Sequence, residues 1–194
     1  MVDGIKTTLA TVVAAAVAIQ CAGQSTRPRP TPIETYEAAD IDADGNLRIV
    51  TVERRIITVA KQSPPPDDAD PRHTRFEDPV VSPDHRAVGA QAMFTNCCTS
   101  YDIPLQLVVY SQGTTHRFQG NLAIFKWHFA DGGRRVVFSQ ETVHFSCSVH
   151  WELRDIATER LMAQADIPEP CGQNPDPKPV KVPGWVNGSD SRIN

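Results

Sequence analysis

The sequence predicts an all-β protein made of open antiparallel sheets in two similar units, with flexible termini. Three observations point there. The stretch VVSPDHRAVGAQAMF at 80–94 is echoed by FADGGRRVVFSQETV at 129–143, and aligning Arg86 with Arg134 sets a period of 48 residues, within the range of repeat architectures. Each copy runs on into a strand-like segment, a polar turn and a second short strand: LQLVVYSQGTTHRF at 105–118 and HWELRDIATERLMAQ at 150–164. Turn-forming residues punctuate these runs about every ten positions, and no long amphipathic helix interrupts them.

Taken in order, residues 1–24 read as an export signal. Lys6 precedes TTLATVVAAAVAI (7–19), an apolar run too short to span a bilayer comfortably, then small residues and Cys21. Two processing routes stay open: acylation of Cys21, giving a lipid-tethered protein, or cleavage near Ala18 or Gly23. Residues 25–43 form a Pro-rich spacer (STRPRPTP, 25–32) followed by a short helix over IETYEAAD (33–40). An all-β domain spans 44–167. It opens with NLRIVTVERRIITVA (46–60), two β-branched strands joined by a charged turn and a degenerate third unit. KQSPPPDDADPR (61–72) is an exposed loop, and the two clear units follow at 79–118 and 124–165. Pro83-Asp84 and Asp131-Gly132-Gly133 supply tight turns ahead of Val-rich strands. The Pro-rich tail 168–194 is held mainly by whatever Cys171 bonds.

Composition narrows the function classes. The formal charge of −4, from 19 Lys and Arg against 23 Asp and Glu, argues against a phosphate-backbone binder, so nucleic acid is not an expected partner. Besides Cys21 the chain carries Cys97, Cys98, Cys147 and Cys171. An even set in an exported domain suggests two disulfides, with three possible pairings. Adjacent cysteines bond each other only with backbone strain, which favours crosslinks from Cys97 and Cys98 to Cys147 and Cys171.

At VSPDHRAVG, FADGGRRVVFSQ and WELRDIATERL the chain resembles the WD-like β-propeller repeat of exported bacterial proteins. His85 and Glu159 stand where that repeat has glycine, and the first unit lacks the Asp-x-Ala-Thr turn. The resemblance implies two propeller-blade-like units, arranged as a partial propeller or a sandwich-like body, because two or three units cannot close a ring. The chain is also similar to uncharacterised exported bacterial proteins with NCCTSY and QETVH segments, which implies no activity. Such repeats are scaffolds for many functions.

Two constellations have ligand chemistry. In DIDADGNL, Asp40, Asp42 and Asp44 alternate around the Gly45 bend, the oxygen-rich pattern of a calcium loop. Thr51 stands where the bidentate Glu belongs, and Arg48 opposes a cation, so any calcium would be weakly bound. In HFSCSVH, His144 and His150 would face each other at a hairpin mouth with Cys147 at the tip, an N/S donor set for zinc or copper. His73, His85, His116 and His128 have no partner at ligand spacing and are assigned to surface or core. Trp127 and Trp151 belong to the core, whereas Trp185 is free to contact a partner.

No Gly-x-Ser-x-Gly elbow, His-Glu-x-x-His or phosphate loop occurs in the sequence. The expected function is a non-catalytic exported β-module of the cell envelope: periplasmic, outer-membrane-anchored or secreted. It would bind an envelope protein or surface ligand, with no cofactor and a possible membrane tether through Cys21. The alternatives are a metal-binding protein using either constellation and a cysteine hydrolase using Cys97 or Cys98.

Overall fold

A computed structural model describes residues 33–63, 71–96, 100–144, 147–170, 178 and 180–188. The expectations for the export signal, Cys21, Cys97, Cys98 and Cys171 fall outside these residues. Within them the protein is all-β, in three open antiparallel sheets. Sheet 1 comprises β1 (Tyr36–Ile41), β2 (Leu47–Thr51) and β3 (Ile56–Val59). Sheet 2 runs β4 (His73–Val81), β5 (Ala87–Phe94), β6 (Ile103–Ser111), β7 (Thr114–Gln119). Sheet 3 runs β8 (Trp127–Ala130), β9 (Arg135–Gln140), β10 (Ser148–Asp155), β11 (Leu161–Pro168).

The two repeats become the two four-stranded sheets, and Arg86 and Arg134 each stand just before a second strand. The first entry turn is built from short polar side chains, the second from Asp131-Gly132-Gly133. Ser82 Oγ accepts from the amides of Arg86 (3.1 Å) and Ala87 (2.9 Å) and donates to Asp84 Oδ1 (2.7 Å). The Asp84 amide donates to the Gly132 carbonyl of the neighbouring turn at 2.9 Å, so the two repeats meet at equivalent points. Gly133 has φ +122°, and a Cβ there would lie 2.5 Å from Asp84 Oδ1. Only glycine fits this approach.

Sheet 2 lies in the middle. Val88, Ala90, Ala92, Phe94 and Val108 face Tyr36, Leu47, Ile49 and Val59 of sheet 1. On its other face Ala87, Leu107, Val109 and Phe118 meet Val136, Phe138 and Ile156 of sheet 3. All eight residues of β5 are buried, so the alternation of a half-exposed strand gives way to an apolar run broken only by Gln91, whose Nε2 donates to the Ile124 carbonyl. Gly89 lets the Trp127 ring reach the strand, since a Cβ would sit 2.5 Å from it.

Two expectations need correction. IETYEAAD was expected to be helical, but Tyr36–Ile41 is a strand, and the sheet begins ahead of 44. Eight residues of Glu and Ala preference are outweighed by cross-strand pairing with β2 and full burial of Tyr36. Trp185 was expected to be free to contact a partner. Instead a 3₁₀ turn at Gly184–Asn187 presses Trp185 (8% exposed) and Val186 onto Val137 and Leu153 of sheet 3.

Sheet 1 is inverted relative to the entry strand of sheet 2. The Tyr36 amide donates to His85 O (2.8 Å), while Phe76 N donates to Gly45 O (2.9 Å), so β1 runs opposite to β4.

Candidate functional site

The expected calcium loop is a hairpin turn in which two of the three carboxylates, Asp40 and Asp42, are already used. Asp40 and Arg48 are cross-strand partners, with Nε–Oδ1 at 2.7 Å and Nη2–Oδ2 at 2.5 Å. The Arg48 hydrogen bond holds Asp40 below the usual carboxylate range. Asp42 Oδ1 accepts from the amides of Asn46 (2.8 Å) and Asp44 (3.0 Å), and Oδ2 accepts from Asn46 Nδ2 (3.1 Å). These donors, led by the Asn46 amide, lower its pKa too. The spacing that suggests calcium serves an Asx-type turn, because hydrogen-bond donors satisfy the same oxygens.

The transition-metal constellation also comes apart. Register places Gln140, not His144, opposite His150. His150 Nδ1 lies 2.7 Å from Asp166 Oδ1, and its Nε2 lies 3.5 Å from Glu152 Oε1. An oxidised Cys147 would lack the thiolate such a site needs. Among the described residues no three His, Cys, Asp or Glu side chains converge on a point where an ion would sit.

The hairpin turns of sheets 2 and 3 gather at one end of the stack, and a cleft of about 610 Å³ opens between them. Sheet 2 contributes Asp84, Arg86, Ser111, Gln112, Thr114 and His116; sheet 3 contributes Gly133, Arg134, Asp155, Ile156 and Ala157. Ile33, ahead of sheet 1, completes the rim. That lead-in is fastened by Gln112: Glu34 N donates to its Oε1 (3.1 Å), and its Nε2 donates to Glu34 O (2.8 Å). Tyr36 OH donates to Glu34 Oε2 (2.9 Å) and accepts from the Gln112 amide (3.1 Å). Burial and then the Glu34 contact push that phenol well above its ordinary value.

The cleft is electrically balanced. Arg134 is 73% exposed and meets Asp131 only at 3.6 Å; Arg86 is likewise exposed. Burial opposes ionisation of Asp155, yet its pKa is lowered, because Thr158 donates through N (3.0 Å) and Oγ1 (2.8 Å) and Arg134 and Arg135 lie nearby. His116, buried, spans the two sheets with Nδ1 3.1 Å from Glu159 Oε1. The Ser111 hydroxyl donates to the Arg86 carbonyl at 3.0 Å, so it is turned to backbone rather than to a base.

Strain concentrates here. His85 (φ +61°), Gln112 (+49°), Asp131 (+52°) and Glu159 (+57°) are non-glycine residues in the left-handed region, and all four sit on turns around the cleft. Each costs about 1 kcal/mol or more and persists only where surrounding structure enforces it. Sequence reasoning missed this site because its residues come from four turns far apart in the chain. The one available signal was that Arg86 and Arg134 hold equivalent repeat positions.

No helix among the described residues is long and apolar enough to cross a membrane. No protein-family model and no curated protein matches this chain. Among solved structures it is similar to a chain of Kuenenia stuttgartiensis hydrazine synthase, at 16% identity and a TM-score of 0.36. That match covers 71% of this chain and 35% of the other, and a likeness so distant supports no conclusion about chemistry.

Proposed function

We propose that this chain is a non-catalytic exported binding module that receives its ligand in the cleft at the turn end of sheets 2 and 3. One observation carries the reading: paired repeat turns, four of them strained, frame a concave site with exposed guanidinium groups and hydrogen-bonded carboxylates. The cleft volume suits a small ligand or a short peptide, and its mixed charge disfavours polyanions and polycations alike. We further propose that the propeller-like repeats serve as its scaffold. The four cysteines Cys97, Cys98, Cys147 and Cys171 would staple it in an oxidising compartment at the cell envelope, and the partner would be an envelope protein or a surface ligand.

The test is a fragment and short-peptide screen on isotope-labelled full chain, read by amide chemical shifts. Binders should perturb 84–86, 111–116, 133–134 and 155–157 together, and Ala157→Trp, which fills the cleft from an exposed position, should abolish the effect. Binders that perturb other surfaces, or that ignore Ala157→Trp, would refute the assignment. Mass spectrometry of the exported protein tests the compartment: four free thiols or an uncleaved N-terminus would contradict it.

A further inference from the structure

The other face of sheet 2 holds an unmatched cation. Arg117 on β7 pairs with Val108 on β6, and Val108 belongs to the core between sheets 1 and 2. Its neighbour Phe118 points the opposite way, toward sheet 3, so Arg117 projects between sheets 1 and 2, away from the cleft. Arg117 is half-buried; its Nη1 is sealed from solvent and meets no acceptor. On the same face Gln106 pairs with Gln119, is 8% exposed, and leaves Oε1 equally unmet. Among the described residues Arg117 makes no ion pair. Asp102 is committed to Thr74 and Arg75, and Glu77 to Arg75. The nearby cations add to the imbalance: Arg117 and Lys61 both lower the pKa of His73. Burial is also the cause that holds Arg117 itself below its usual range.

A partly desolvated guanidinium without an acceptor is costly, and its forked donors match oxyanions in geometry and charge. The Gln106 Nε2 donates to Gln119 Oε1 at 3.4 Å, and a paired flip of the two amides keeps that bond while letting Gln106 present a second donor on the same face. We infer that Arg117 and Gln106, between sheets 1 and 2, form a binding site for a single oxyanion, either a phosphate or a carboxylate.

The experiment uses the full chain exchanged into chloride buffer. Thermal unfolding is followed against inorganic phosphate, against N-acetyl-aspartate amide, and against sodium chloride at matched ionic strength. The site predicts a saturable rise in Tm with at least one of the two oxyanions beyond the chloride control; whichever acts identifies the source. Arg117→Met should lose that rise and, in chloride alone, unfold no earlier than the wild type. In the wild type, the Arg117 Nε–H resonance should shift saturably over the same concentrations, a readout that survives if the variant folds poorly. No rise above chloride with either oxyanion, or the same rise in Arg117→Met, would overturn the assignment. An Arg117 resonance unmoved by both anions would do so as well.

Discussion

His73 should make the fold acid-labile well above the range where carboxylates titrate. It opens β4 with its ring stacked on Phe94 (centroids 5.0 Å) and edge-on to Phe76 (4.6 Å), 8% exposed. Nδ1 accepts from the Gln62 amide at 3.0 Å, which places the proton on Nε2, 3.1 Å from the Arg75 carbonyl. The neutral ring is thus satisfied, and a second proton would face an N–H donor. Burial lowers the pKa from 6.5 to about 4, the Arg75 carbonyl opposing and Arg117 and Lys61 reinforcing the shift. Between those values the unfolded chain binds a proton that the native state refuses. Stability is therefore fully present above pH 6.5 and lost as pH falls toward 4. The gap amounts to about 3 kcal/mol. His128, also lowered by burial, adds in the same direction. Urea denaturation of the wild type and His73→Phe across this window is the assay. The wild type should lose stability steeply, and the variant should start lower but fall with a much shallower slope. Equal slopes, or a flat wild-type profile, would refute the reasoning.

Other substitutions probe other joints of the stack. Trp185→Ala should cost about 3 kcal/mol in chemical denaturation, because it uncovers the outer face of sheet 3. Gly89→Ala, whose Cβ would meet the Trp127 ring, should cost about 1–3 kcal/mol and shift the Trp127 indole resonance. Cys147→Ser should lower stability by about 2–4 kcal/mol under oxidising conditions, and added reductant should narrow the gap between the variant and the wild type. Arg48→Ala should leave the denaturation midpoint in place, since the Asp40 pair is solvent-exposed, and added calcium should move neither protein.

Much of the fold was legible because the repeat carries its own punctuation. Ser82, Asp84 and the Asp131-Gly132-Gly133 run mark entry turns by chemistry that acts locally, so the strands beside them follow from sequence. What failed depends on contacts distant in the chain. Tyr36 becomes a strand residue only because β2 and the 82–86 turn receive it. Trp185 looks free in a proline-rich tail, yet the apolar face it covers comes from β9 and β10. Asp40, Asp42 and Asp44 have the right oxygens for calcium, but Arg48 and Asn46 reach two of them first. The cleft was invisible for the same reason: Arg86, His116, Arg134 and Asp155 converge only after two sheets pack.

Amide hydrogen exchange on the full chain tests the three-sheet stack most directly, because that stack puts β5 at its centre. The amides of Val88, Ala90, Ala92 and Phe94 should exchange more slowly than those of the edge strands β3, β7 and β11, at rates near the limit of global unfolding. If β5 exchanged as fast as β3 or β11, sheet 2 would not lie between the other two, and the turns could not assemble the cleft.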